Sequence, residues 1–229
     1  MNKQVIEALK RARYKVLTKS QDLEEVYRLR YSCYRAERSI AKNERCIMSD
    51  AFDKTPNCVH VAVEIDGEIV AAVRLHLVSK LSLMSPTLEV FPEILDDLKH
   101  GETALDSTRF VIAPEARKQR VPLHFLVLRI PFLATMFYDI DLALAAVRVE
   151  HTAFYRRYLG YEVAMEPRSY PGLRNPIQLL TTKVREQRAA VLARTPVFGP
   201  VHEIPQSNIA FPDLSGVYVA SKDGGSEAA

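Results

Sequence analysis

This chain of 229 residues contains no tryptophan and only three cysteines. Cys33, Cys46 and Cys58 form neither an even set nor a C-x-x-C pair, so they read as reduced thiols rather than a disulfide framework. No apolar run reaches the length of a membrane span; the longest candidate, around residues 121–138, is broken by Arg129 and Pro131. The first 13 residues are charged throughout and hold no apolar core of a signal peptide, so a cytoplasmic location is expected. Net charge is only +3, which gives no whole-molecule attraction to nucleic acid and leaves any electrostatic partner to a local patch. The 48% hydrophobic and 26% charged content is that of an ordinary globular protein able to build one sizeable core.

Against this background the stretch Ala104–Ala113 stands out, because Asp106 and Arg109 interrupt an apolar, strand-like run. Such groups persist in a core only when paired or put to use. About 30 residues later, 141–149 is a second apolar strand that runs into Glu150-His-Thr-Ala-Phe-Tyr-Arg-Arg-Tyr-Leu-Gly-Tyr161. Upstream, residues 2–12 and 21–37 have helical periodicity, and Tyr14–Leu17 reads as a short strand. Residues 38–58 read as a long polar loop. Two strand patterns, 59–65 and 68–78, flank Asp66-Gly67, the strongest hairpin signal in the chain.

Further along, the pattern predicts a short helix at 89–99 and a strand at 103–113 that stops at Pro114. A helix over 121–138 follows, with Pro122 in its first turn and a kink at Pro131. A helix at 151–158, strands near 160–165 and 176–183, and a charged helix at 183–194 complete the elements. The expected fold is α/β (α+β): a central, mixed, mostly antiparallel sheet with a parallel pair in its middle, flanked by helices. Residues 1–195 are expected to form the domain and 196–229 an extended tail laid over it, its last ~10 residues disordered.

Several residues carry chemistry. The loop Arg117-Lys-Gln-Arg120 precedes a helix and suits a phosphate, or is simply a solvated charge run. Tyr155 and Tyr158 are either proton donors to a leaving thiolate or packing residues, and His151 is either a base or a helix cap. His60, His76 and His124 are too scattered in sequence to suggest a metal site, and no metal is expected. No Cys/His or Ser/His nucleophile arrangement is evident.

The order of a polar strand, a long helix, a second strand and a helix ending in Tyr-Leu-Gly-Tyr161 resembles GNAT-type acyltransferases. The pattern Arg30-x-x-x-Tyr34, Asp50-x-x-Asp53, Arg74 and Asp106-x-Thr-Arg-Phe110 resembles acyl-homoserine-lactone synthases and, more closely, bacterial N-acyl amino acid synthases. The resemblance spans roughly residues 23–165. It implies a GNAT-like fold and transfer of a long fatty acyl chain from acyl carrier protein to the amine of an amino acid. By it, Arg30, Tyr34, Asp50, Asp53 and Arg74 organise the acceptor pocket, while Asp106, Thr108 and Arg109 brace the central strand and the carrier-protein face.

The mechanism expected of such a fold needs main-chain amides aimed at the thioester oxyanion, with Phe110 and Val111 at a strand bulge the candidates. Asp50, Asp53 and Glu150 are the candidate bases for the attacking amine, and direct transfer is preferred to an acyl-enzyme. Residues 114–122 contain no glycine, whereas coenzyme-A-dependent members of the fold usually show a glycine-containing phosphate cradle. This favours acyl-phosphopantetheine on a carrier protein, an acidic partner suited to Arg117, Lys118, Arg120, Arg156 and Arg157. No resident cofactor is expected. The lactone synthases also have a tryptophan near the position of Ile40 and a glutamate where this chain has Asp106, departures that favour a plain amino acid over S-adenosylmethionine. Two rivals stay open: a lactone synthase, and a catalytically silent module that only binds acyl chains or a carrier protein.

Overall fold

The computed structural model describes residues 2–98, 101–118 and 121–220. A seven-stranded sheet forms its centre, built from β1 (Ala12–Val16), β2 (Cys58–Ile65), β3 (Glu68–Val78), β4 (Ala104–Ile112), β5 (Leu142–Val147), β6 (Glu162–Arg168) and β7 (Ile177–Lys183). The spatial order is β1-β2-β3-β4-β5-β7-β6, antiparallel throughout except for the central β4–β5 pair. The sheet is thus the mixed, mostly antiparallel one expected. Around it lie α1 (Asn2–Arg11), α2 (Ser20–Ala36), α3 (Pro86–Val90), α4 (Ile94–Asp97), α5 (Pro114–Arg117), α6 (Leu123–Phe137), α7 (Thr152–Leu159) and α8 (Val184–Arg194).

Local chemistry accounts for the punctuation. Asp66 and Gly67 both take positive φ, 54° and 88°, as a two-residue hairpin between right-twisted strands requires. Helix α7 ends at Gly160, φ +69°, where an added Cβ would meet Gln187 Oε1 at 2.9 Å. The single helix expected at 89–99 is instead two short pieces, because Pro92 disfavours helical backbone at Phe91. Likewise β5 stops at Val147 rather than 149, and Val149–His151 forms a 3-10 turn.

Period-two alternation gives β2, β3 and β4 two unlike faces. Val59, Val61, Val63, Val73, Leu75, Leu77 and Leu105 form an apolar face packed under α1 and α6. The opposite face carries two polar rows in register across the three strands, Cys58–His76–Asp106 and His60–Arg74–Thr108. Helix α2 covers this face, its Val26 and Cys33 resting on Ala62, Ala72 and Val111. From Thr195 onward, Val197, Phe198, Ile204, Phe211 and Tyr218 are buried in the main core. Buried Arg129 of α6 fastens this segment, donating to the carbonyls of Val197 (2.8 Å), Gly199 (2.9 Å) and Ser207 (2.6 Å).

Candidate active site

The two central strands part company half-way along. β4 and β5 pair from Ala104↔Leu142 to Ser107↔Ala145, the last tie being Ser107 Oγ donating to Leu144 O at 3.1 Å. Beyond it β4 continues against β3 to Ala71↔Ile112, while β5 continues against β7 to Val147↔Gln178. At the parting, Arg109 and Phe110 both sit opposite Val73, a bulge in which Arg109 takes φ +55°. A positive φ in an arginine is uncommon, and here the surrounding strands and ion pairs hold it.

The bulge decides which amides face outward. Ala113 N donates to Val70 O at 2.8 Å, and Val111, opposite Ala72, shares that hydrogen-bonding phase. The Val111 N–H therefore belongs to the β3 ladder, and the expectation that it faces a substrate is corrected. Phe110 lies in the other phase, with its N–H directed away from β3 and toward the opening.

The opening is a cavity of about 520 Å³ lined by residues 107–112 of β4 and by Ala146, Val147 and Arg148 at the end of β5. Tyr34, Glu37, Arg117, Glu150, His151 and Tyr155 also line it. A smaller, mainly apolar cavity of about 30 Å³ adjoins it, sharing Ser107, Leu128 and Tyr155. Tyr155 is partly buried, and burial pushes its phenol pKa up, so it holds its proton at neutral pH.

Beside the cavity lies a chain of ion pairs. Buried Arg30 and Arg74 both donate to Asp53 Oδ1, at 2.7 and 2.8 Å. Arg74 also meets Asp50 Oδ1 at 2.5 Å and gives its Nε–H to Thr108 Oγ1 at 3.1 Å. Arg109 meets Asp50 Oδ2 at 2.6 Å, with its guanidinium 5.8 Å from the ring centres of Tyr34 and Tyr170. Asp50 caps the 3-10 turn Ala51–Lys54, accepting from Phe52 N at 3.0 Å, while Asp53 Oδ2 accepts from Asp50 N at 2.8 Å.

Two histidines nail the same turn to the sheet. His60 Nε2 lies 3.0 Å from Asp53 O while its Nδ1 lies 3.0 Å from Arg30 Nη2; an arginine only donates and a carbonyl only accepts, so the proton sits on Nε2. His76 Nε2 lies 3.0 Å from Phe52 O and is likewise the donor. Burial, then Arg30, lowers the His60 pKa to about 4, and burial, then Arg74, lowers that of His76 to about 3. Both rings are neutral at pH 7.

Burial by itself raises the pKa of Asp50, yet Arg74 and Arg109 outweigh it and hold the carboxylate far below its usual range. Burial also opposes ionisation of Asp53, and Arg30 and Arg74 again prevail. Carboxylates held this way are weak bases, and neither lines the cavity. Of the three acids marked in the sequence, Glu150 is the one that does, with its Oε1 3.1 Å from Arg148 Nε.

Other residues fall differently from expectation. Asp106, marked for substrate, does not line the cavity: it accepts from Ser85 Oγ (2.6 Å), Thr87 Oγ1 (2.7 Å) and Thr87 N (3.4 Å), and burial raises its pKa. His151 makes no side-chain cap to α7; it lines the cavity with Nε2 3.2 Å from Arg148 Nη2. A Cys/His contact does exist, Cys58 Sγ lying 3.3 Å from His60 Nε2, but burial pushes that thiol up to about 12 and removes it as a nucleophile. Arg117, Lys118, Arg156 and Arg157 are exposed, and Arg117 is engaged by Glu37 Oε1 at 3.0 Å. Arg120 lies outside the described residues. Among the described residues no cluster of three or more metal-ligating side chains occurs. No helix among them is long and apolar enough to cross a membrane.

A mixed sheet whose parallel central strands splay beside a bulge, over an acid–arginine network, defines a GNAT-like acyltransferase. The family model of the N-acyl amino acid synthase FeeM matches residues 25–183, and the chain belongs to that family. Its fold is similar to that of FeeM, an N-acyl amino acid synthase from uncultured soil microbes: TM-score 0.66 at 14% identity, covering 80% of this chain and 96% of that one. It is similar to BjaI, a CoA-dependent acyl-homoserine lactone synthase: TM-score 0.60, 14% identity, 81% and 90% coverage. It is similar also to the lactone synthase LasI: TM-score 0.55, 16% identity, 74% and 89% coverage. No curated protein gives a significant sequence match to the chain. Family and fold together make this protein an N-acyltransferase.

Proposed function

We propose that the enzyme moves a long fatty acyl group from the phosphopantetheine thioester of acyl carrier protein to the α-amine of an amino acid. The observation that carries this reading is the open β4–β5 cleft with the Phe110 N–H turned into it at the bulge. A thioester threaded between the strands sets its carbonyl oxygen against that amide, which stabilises the oxyanion as the amine attacks. The C–N bond forms, the amine proton passes to Glu150 directly or through one water, and the C–S bond breaks to release the pantetheine thiolate. Direct transfer is favoured over an acyl-enzyme, because burial keeps the Cys58 thiol beside His60 protonated.

Arg109 presents its guanidinium to the cleft between Tyr34 and Tyr170, where it suits the acceptor's carboxylate. Arg30, Asp50, Asp53 and Arg74 act behind it, fixing its position. Exposed Arg117, Lys118, Arg156 and Arg157 offer positive charge to an acidic carrier. The test is to incubate the protein with amino acids and an acyl thioester on carrier protein or on coenzyme A, reading products by mass spectrometry. N-acyl amino acid formed faster from the carrier-linked donor is the expected result. Labelled lactone from S-adenosylmethionine, or no amide from either donor, would refute the reading.

A further inference from the structure

The imidazoles of His60 and His76 are buried groups that the chemistry of the cleft does not use, and both reach the 3-10 turn Ala51–Lys54. The C-terminal end of that turn needs them. Asp53 N donates to Asp50 O at 3.2 Å and Thr55 N to Phe52 O at 3.4 Å, but the next donor in the series would be Pro56, which has no N–H. His60 Nε2 takes that place, 3.0 Å from Asp53 O. His76 Nε2 lies 3.0 Å from Phe52 O, its ring edge-on to the Phe52 ring at 5.9 Å between centres. The His76 Nδ1 has no partner. An aliphatic residue would pack here without leaving a nitrogen unpaired, so what the ring supplies is its bond to the turn.

The other end of the turn carries Asp50, whose Oδ1 meets Arg74 at 2.5 Å and whose Oδ2 meets Arg109 at 2.6 Å. Among the described residues Asp50 is the carboxylate that fixes Arg109, whose guanidinium otherwise faces the rings of Tyr34 and Tyr170. A continuous path thus runs from β2 and β3, through two consecutive carbonyls and one carboxylate, to the guanidinium in the cleft. We propose that His60 and His76 are positioning residues for the acceptor: by fixing the Phe52 and Asp53 carbonyls they hold Asp50, and with it Arg109, where a carboxylate is bound. The assignment rests on the reading of Arg109 given above. Neither ring lines the cavity, so both act through the turn. A displacement of about 1 Å is enough to misalign a guanidinium–carboxylate pair.

Steady-state kinetics on the full chain tests this, together with calorimetry of N-dodecanoylglycine and N-methyldodecanamide, two ligands that differ by one carboxylate. His76→Leu, which removes the donor, should raise the acceptor KM about tenfold, with kcat within about threefold and the donor KM unchanged. It should weaken N-dodecanoylglycine by a similar factor and leave N-methyldodecanamide alone. His76→Gln, whose side-chain N–H can reach Phe52 O, should return both readouts to within about twofold of native. His60→Asn, which keeps an acceptor for Arg30 but no donor for Asp53 O, should behave like His76→Leu. His60→Gln, which keeps that donor and loses the acceptor, should lower the unfolding midpoint and spare the acceptor KM. Equal weakening of both ligands, a kcat loss larger than the KM change, or no rescue by glutamine would overturn the assignment. If the native enzyme forms no amide from any donor, the acyl-transfer reading fails, while the calorimetry still decides whether the histidines set carboxylate binding.

Discussion

Two groups of carboxylates and arginines lie on either side of the β4 bulge, and their surroundings give them opposite characters. Asp53, 1% exposed, is clamped by Arg30 and Arg74, and Asp50 by Arg74 and Arg109. Both are ionised, immobile and feebly basic. Glu37 and Glu150, 32% and 61% exposed, share Arg148 at the cleft mouth, where water competes for every contact. Acid–arginine pairs of identical composition therefore serve different ends. A buried pair is costly to break and fixes geometry, whereas a rim pair is cheap to exchange and suits binding and proton traffic.

The sharpest way to break this contrast is to remove a buried partner. Asp53→Asn leaves buried Arg30 without a carboxylate partner and Arg74 with Asp50 alone, and should cost about 3–5 kcal/mol of stability, read as a lower denaturation midpoint. A loss below about 1 kcal/mol would mean that the inner network is as exchangeable as the rim.

Acid probes the same region through His60 and His76. Their folded pKa values, about 4 and about 3, lie below the ordinary 6.5, so the unfolded chain binds more protons over the interval between. Stability is therefore present above pH 6.5 and lost as pH falls toward 4, by on the order of 3 kcal/mol for each fully buried ring. Chemical denaturation at pH 7 and pH 5 checks this, and His76→Asn should flatten the slope.

At the rim the expectation reverses. Glu150→Gln should lower kcat roughly 100-fold while changing stability by less than about 0.5 kcal/mol. Unchanged kcat would remove Glu150 as the base. The smallest effect falls on Tyr155, which walls off the minor cavity: Tyr155→Phe should change kcat less than about threefold if its role is packing. Tyr155→Ala, which joins the two cavities, should lengthen the preferred acyl chain in a competition assay.

Much of this architecture was readable in the residues. Asp66-Gly67 announced its hairpin, and Asp106 and Arg109 stood out as charge within an apolar run, while the residues at 30, 50, 53 and 74 could be marked only through the resemblance to the lactone and N-acyl amino acid synthases. What sequence withheld was long-range register. His60 and His76 look scattered along the chain, yet period-two alternation on paired strands sets them in adjacent polar rows, each able to reach a consecutive carbonyl of one turn. Glu37 and Arg148 are 111 residues apart in number, and no local pattern joins them. The bulge was expected, but its phase, which turns Phe110 toward the cleft and Val111 toward Ala72, depends on where β3 pairs with β4. Nor could sequence tell which partners satisfy the two charges in the central strand: Asp106 finds Ser85 and Thr87, and Arg109 finds Asp50.

The most direct test of the account is a crystal structure with a non-hydrolysable acyl-pantetheine in place. Its carbonyl oxygen should lie about 2.7–3.1 Å from the Phe110 nitrogen, with the arm passing between Ser107–Ile112 and Ala146–Arg148. An arm bound outside that cleft, or a carbonyl turned from Phe110 toward the Asp50–Asp53 turn, would contradict it.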